Sequence, residues 1–248
     1  MIEAFIEDTN NANSSEEVYS LLLNVLNQFG YDRVVYSLIT DHPTLSQKAH
    51  HGLVGNYPDE WMKYYLENKY QFKDPVPNHA FTAREPFLWD SLSKLKDLSN
   101  TEIQIMNEAK EAQLNVGIGI PIQSGTGEIS GLGLASSTEK EQPDKNKLRK
   151  LQAICMQFHL AYSDHNSLST KKKKQILTIR EREILLWAAE GKSDPVIAEI
   201  LGISHSTVRF HIKNIFRKLE VNERTLAVVK AIRMRMISPS FIGTPYQG

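Results

Sequence analysis

Arg209, Lys213 and Arg217 stand at i, i+4 and i+8, with Ser206, Thr207 and Lys218 close by. Residues four apart share one face of a helix, so this spacing stacks three long cations into a stripe. A helix inserted in the major groove of DNA needs such a face: cations that reach guanine O6 and N7 and the phosphates, over an apolar back. Val208, Ile212, Ile215 and Leu219 supply that back at helical spacing. A solvated surface helix carries the same charges, so the stripe alone decides little.

What precedes the stripe decides more. Thr178 and Glu181 form a capping box, in which the hydroxyl covers an orphan N–H and the carboxylate reaches back. Ile184, Leu185 and Ala188 then give one apolar face, and Gly191 a left-handed stop. A second helix starts at Ser193 or Asp194, with Pro195 in its first turn, and ends at Gly202. Ser204 caps the third. Two helices joined by a short turn that holds a glycine are a helix-turn-helix. Within it, Arg209 is placed to read a base, and Arg217 and Lys218 to touch phosphate.

The second set of residues with usable chemistry lies far upstream. Tyr57, Trp61 and Tyr65 are four apart, and Asp74-Pro75 follows, with Pro75 holding Asp74 out of the helical region. Aromatic triplets of this kind build cores more often than they line pockets. A carboxylate beside an indole N–H and phenols is either a surface acid or the polar anchor of an apolar cavity. His50-His51 lacks a second ligand cluster at a spacing that would hold a metal. The single cysteine, Cys155, lies in a helical pattern and reads as a buried, inert thiol, which fits a reducing cytoplasm. No serine sits in a nucleophile elbow and Asp74 has no paired acid or base, so an enzyme is not expected.

The rest of the chain must position these groups. At 248 residues with 41% hydrophobic content, one large domain and one small one can each bury a core. No apolar run approaches the ~18 residues of a membrane span, and the N-terminus lacks the basic and apolar regions of a signal peptide. The net charge of zero hides a split. Residues 1–165 carry 14 Lys and Arg against 22 Asp and Glu, whereas residues 166–248 carry 15 against 7. A basic small domain beside an acidic large one points to a polyanion partner for the small one alone.

In order, Val18, Leu21, Leu22, Val25, Leu26 and Phe29 form a helical stripe closed by Gly30, the first clear element, packed on a sheet. Arg33–Thr40 reads as a strand, Tyr57–Asn68 as a helix opened by Pro58, and Thr101–Leu114 as another. Asn115–Gln123 and Glu128–Ser136 form a hairpin around Ser124–Gly127, and Asp144–Tyr162 a long amphipathic helix. The predicted fold is an α/β sandwich, an antiparallel sheet flanked by helices, followed by a small all-α helix-turn-helix domain. The predicted divisions are 1–165, a linker over 166–176 with a lysine run, and 177–248. In the last, Asn222 caps a fourth helix that runs to about Met236 and offers Leu226 and Val229 as a partner surface. A mobile tail follows.

Both halves resemble one family. Glu181, Leu185 and Gly191 stand at the three hallmark positions of the LuxR-family DNA-binding domain, and TVRFHIKNIFRKL matches its recognition helix. Trp61, Tyr65, Asp74, Pro75, Trp89 and Gly117 stand at the signature positions of the autoinducer-binding domain of LuxR-type quorum-sensing receptors. The resemblance covers roughly residues 10–237. It implies a cytoplasmic, ligand-responsive transcriptional regulator that binds an N-acyl-homoserine lactone, needs no cofactor, and acts as a homodimer on an inverted-repeat site in double-stranded DNA. It implies that Trp61 donates to the lactone carbonyl, Asp74 accepts from the amide N–H and Tyr57 donates to the amide carbonyl, with Tyr65 and Trp89 beside them. Two strand positions where the family often carries Thr or Ser hold Gly119 and Gly133 here. Their missing hydroxyls weaken head-group contacts and are expected to open space beside the acyl chain. An orphan receptor for a non-lactone molecule, or a regulator released from DNA by its ligand, shares these features.

Overall fold

The computed structural model describes residues 1–42, 45, 47–123, 127–138, 141–168 and 177–238. The lysine run, the tip of the Ser124–Gly127 turn and the C-terminal tail from residue 239 lie outside the described residues. The chain divides into two compact units, Met1–Thr170 and Lys171–Gly248.

The first unit opens with a helix that sequence reasoning passed over, α1 (Ile2–Asn11). Its apolar signal is thin, because the helix buries only Phe5 and Thr9, whose hydroxyl donates to the Phe5 carbonyl at 2.8 Å. α2 (Ser15–Gln28) follows, capped by Ser14 Oγ accepting from the Glu17 N–H, and buries Val18, Leu22, Val25 and Leu26. Strands β1 (Arg33–Leu38) and β2 (His50–Gly55) pair antiparallel. α3 (Asp59–Glu67), a 3₁₀ turn at Tyr70–Phe72 and α4 (Pro75–Ala80) lead to the two-residue strand β3 (Phe87–Leu88). α5 (Leu92–Leu95) and α6 (Asn100–Glu111) precede the hairpin β4 (Asn115–Gln123) and β5 (Ile129–Ser136), and α7 (Lys145–Leu168) closes the unit. α7 outruns the predicted Tyr162 and takes in the first residues assigned to the linker.

The sheet is antiparallel throughout, in the order β2-β1-β5-β4-β3. Side chains alternate across it. Val34, Tyr36, Ile118, Ile120, Leu132 and Leu134 pack with α1, α2 and α7, where Leu151, Ile154, Cys155 and Phe158 are fully buried. Burial also pushes the Cys155 thiol pKa up, as an inert core thiol requires. Val35 and Ala135 belong instead to a second core, with Tyr57, Trp61, Tyr65, Tyr70, Phe87, Trp89 and Ile105. On that second face β4 and β5 place glycines, Gly117 and Gly119 on one strand and Gly131 and Gly133 on the other, with Gly119 directly opposite Gly133.

Among the described residues the second unit is four helices around Ile184, Leu185, Ile197, Val208, Ile212, Ile215, Leu219 and Ala227. α8 (Ile179–Ala189) starts at the predicted capping box: Thr178 Oγ1 accepts from the Glu181 N–H at 3.2 Å, and Glu181 Oε2 from the Thr178 N–H at 2.7 Å. α9 (Asp194–Ile200) and α10 (His205–Leu219) are joined through Gly202 at φ +61°. α11 (Arg224–Arg233) is shorter than predicted, and its N-cap is Glu223 rather than Asn222, with no side-chain cap bond. Arg224 holds that end instead, donating to Asp194 and to the Lys192 carbonyl.

Candidate ligand cavity and nucleic-acid interface

The first unit holds an apolar cavity between the glycine face of the sheet and α3, α4 and α6. Val35, Ile39, Val76, Pro77, Ala80, Ile105, Met106, Ala109 and Leu114 form most of its wall. The residues singled out by sequence, Tyr57, Trp61, Tyr65, Asp74, Trp89, Gly119 and Gly133, all line it, and Ser37 and His51 add two further polar side chains. Tyr57 precedes α3, whose N-cap is Pro58, while Trp61 and Tyr65 project from its buried face. The question left open between core and pocket resolves as both, since these rings are buried in the second core and line the cavity.

Asp74 is fixed by its neighbours. As N-cap of α4 it accepts from the Val76 N–H through Oδ1 at 2.8 Å, and Pro75 at the first helical position needs no partner. Oδ2 accepts from the Tyr65 hydroxyl at 2.8 Å. Burial pushes its pKa up to about 6, against the two hydrogen bonds that favour the anion. Two other polar atoms are not so provided for. The Tyr57 hydroxyl and the Trp89 indole N–H are buried with no hydrogen-bond partner. Orphaned buried donors of this kind cost about 1–3 kcal/mol each, and in a cavity they mark where a ligand supplies acceptors.

The glycines correct one expectation. A Cβ at Gly119 would lie 2.2 Å from Phe87 Cζ, and one at Gly133 2.6 Å from the Tyr57 hydroxyl oxygen. Neither leaves open room. Phe87 is the cross-strand partner of Gly119, and its ring folds over the space that a side chain would fill. Gly117 does the same for Trp89, whose ring would be 2.0 Å from an added Cβ. The small residues are there to seat protein rings.

His51 belongs to the cavity although sequence reasoning weighed it only as a metal ligand. Its ring stacks on Tyr65 at 4.5 Å, and its Nδ1 lies 3.4 Å from Ser37 Oγ. Burial, then the adjacent His50, lower its pKa to about 4, so the ring is neutral at neutral pH. Its place in the cavity follows from the pairing of β2 with β1, which its own spacing does not mark. No group of three or more His, Cys, Asp or Glu able to hold a metal occurs among the described residues.

In the second unit α10 buries Val208, Ile212, Ile215 and Leu219 and exposes Arg209, Lys213 and Arg217 on the opposite side. Ser204 Oγ accepts from the Thr207 N–H at 3.1 Å and lies within 2.8 Å of both the Ser206 and Thr207 hydroxyls, which gathers three hydroxyls at the helix start. Arg217 donates to Asn214 Oδ1 at 3.2 Å. Lys218 stands apart from the stripe: its Nζ is 2.6 Å from Glu181 Oε2, on the inner side of the domain. Phe210, not singled out by sequence, is 61% exposed on the helix that carries the cations. Its position two after Val208 and two before Ile212 already placed it outward.

A small-molecule cavity in an α/β sandwich, joined to a helix-turn-helix with a cationic outer face, defines a ligand-sensing DNA-binding regulator. Residues 14–162 match the autoinducer binding domain family, and residues 175–231 match the bacterial regulatory proteins of the luxR family. The chain is a member of the LuxR family of quorum-sensing transcriptional regulators. It is 32% identical over 238 residues to the transcriptional activator protein VanR of Vibrio anguillarum, covering 94% of this chain and 96% of that one. It is 28% identical to the activator LuxR of Aliivibrio fischeri, over 93% and 92% of the two chains. Escherichia coli SdiA has the same fold, with a TM-score of 0.77 at 24% identity over 96% of this chain and 98% of that one. SdiA in complex with octanoyl-rac-glycerol aligns with a TM-score of 0.75 at 25% identity, over 94% and 93%. The family's members are regulators rather than enzymes, and they use autoinducer signals rather than cofactors.

Proposed function

We propose that residues 1–165 bind an N-acyl-homoserine lactone and dimerise, that 166–176 link, and that 177–248 bind an inverted-repeat operator, in the cytoplasm. The observation that carries the ligand class is the polar inventory of the cavity. One buried carboxylate and two unpartnered donors stand in a mostly apolar wall, beside Trp61, the Tyr65 hydroxyl, Ser37 and His51. A lactone of this kind brings one amide N–H, two carbonyls and an alkyl chain, a set that uses an acceptor and several donors and leaves the rest apolar. Asp74 accepts the amide N–H, Tyr57 donates to the amide carbonyl and Trp61 to the lactone carbonyl, while Tyr65 holds Asp74 and Trp89 closes the wall.

On DNA, Ser206, Thr207, Arg209 and Lys213 are assigned to base edges and nearby backbone, and Arg217 to phosphate. One short helix makes too few contacts for specific affinity, so two copies bind a two-fold site. Mass spectrometry of denatured protein made in a lactone-producing strain tests the ligand class: an acyl-homoserine lactone in stoichiometric amount is expected. A non-lactone acyl molecule there establishes the second reading, which the absence of hydroxyls at Gly119 and Gly133 favours. Operator affinity at fixed salt, with and without ligand, separates activation from release.

A further inference from the structure

An open groove lies directly against the buried cavity. Ser37, Ile39, His51 and Pro77 line both. The groove runs along the β1–β2 edge of the sheet, beside the 3₁₀ turn and α4, and its outer wall carries Leu66, Phe72 and Phe81. These three are 46%, 74% and 52% exposed. Large apolar side chains scattered singly on a surface are ordinary, but three lining one groove that shares a wall with a ligand cavity are not. Among the described residues, no acid, lysine or arginine lines this groove.

The cavity also has a direction. Tyr57, Trp61 and Trp89 mark one end, where Gly133 lies under both the Tyr57 hydroxyl and the Trp89 ring, and Trp61 reaches a separate surface hollow beside α6. Asp74 is linked through Tyr65 to His51, and beyond it the wall is Val76, Pro77 and Ile39. His51, in the wall shared by cavity and groove, is a neutral imidazole and puts no charge beside an alkyl chain that crosses there.

We infer that the groove takes the distal part of the ligand's acyl chain, so the cognate ligand has a long chain whose end lies outside the buried cavity, against Phe72 and Phe81. This rests on the reading above that an acyl ligand sits with its polar end at Tyr57, Trp61 and Asp74. It assigns chain length to a place in the fold distinct from the head-group residues.

The test measures dissociation constants of the full chain for two series, N-acyl-homoserine lactones and monoacylglycerols, each from butanoyl to hexadecanoyl. Wild type is compared with a Phe72→Ser, Phe81→Ser double variant, both sites being exposed and outside the core. The expected result is a gain of about threefold per added methylene continuing into the long members. In the double variant the gain flattens for long chains, by about tenfold at the top of the series, while short-chain affinity is unchanged. Affinity that peaks at a short chain and excludes longer ones overturns the inference, as does a double variant that binds long chains like wild type. If only the monoacylglycerols bind and they follow the expected pattern, the lactone reading falls and the groove stands. Silence of both series overturns both.

Discussion

Asp74 carries three loads at once. It caps α4, anchors the Tyr65 hydroxyl and is the cavity's carboxylate acceptor. Its folded pKa of about 6 lies above the ordinary 3.8 because burial disfavours the anion. A carboxyl raised in this way contributes stability that is fully present below about pH 3.8 and lost as the pH rises through about 6, so the ionised group weighs against the fold at neutral pH, by about 3 kcal/mol. A ligand N–H that donates to it favours the anion, so binding is coupled to proton loss. Lactone affinity should therefore be highest above pH 6 and fall by up to about tenfold per unit below it; titration calorimetry from pH 5 to 8 checks this. In Asp74→Asn the pH dependence should vanish and affinity drop by about 1.5–3 kcal/mol, with the thermal midpoint of the free protein at pH 7 no lower than wild type. A fall in that midpoint together with affinity would mean the substitution acts through the fold.

At the scale of elements, the hairpin and the recognition helix each overturn a simple reading of their residues. The β4–β5 glycines look like space for ligand, but rings from β3 and from the Tyr57 segment occupy it. Gly119→Ser should push Phe87 aside and lower both stability and the affinity for every chain length, by overpacking costs of about 1–3 kcal/mol. A changed ranking of chain lengths at unchanged thermal midpoint would contradict this. On α10, Lys218 was grouped with Arg217 as a phosphate contact, yet it is paired with Glu181 at the N-terminus of α8. Burial alone would raise the Glu181 carboxyl, but Lys218 and the Thr178 donors hold it below its ordinary value, which ties α10 to the capping box. Lys218→Met should lower the unfolding midpoint of the helix-turn-helix unit and leave the salt slope of DNA binding unchanged. Arg209→Ala should instead keep the midpoint and relax base preference at one symmetric position, at about 1–3 kcal/mol, read from a panel of substituted operators.

For the whole molecule, the charge division separates the two tasks. The excess of acid sits in the unit with the cavity and the excess of base in the unit with the cationic stripe, so counterion release on DNA comes from the second. No helix among the described residues is long and apolar enough to cross a membrane. α7 leaves Met156 and Leu160 exposed one turn apart, and α11 leaves Leu226 and Val229. These are the surfaces on which the proposed dimer rests. Met156→Asp with Leu160→Asp should give a monomer in sedimentation equilibrium that keeps its helical signal and ligand affinity. It should lose cooperative binding to an inverted repeat.

Sequence alone carried the helix-turn-helix nearly to the residue. Its caps, its glycine stop and its apolar spacing are local features, and short helices in a small domain are set by such local terms. The cores of α2 and α7 and the β4–β5 hairpin were legible for the same reason, through period and turn residues. α1 was missed because its apolar content is too small to mark a period, and its place depends on docking against α2 and α7. Tertiary structure decided what no spacing could. Whether Tyr57 and Trp61 line a cavity depends on which strand face they meet. Whether Gly119 and Gly133 leave room depends on rings brought from 32 residues before Gly119 and 76 before Gly133. Lys218 faces Glu181 rather than solvent because α8 crosses α10 at that turn, 37 residues upstream. Local chemistry names the groups; long-range packing sets which of them face one another, the cavity or water.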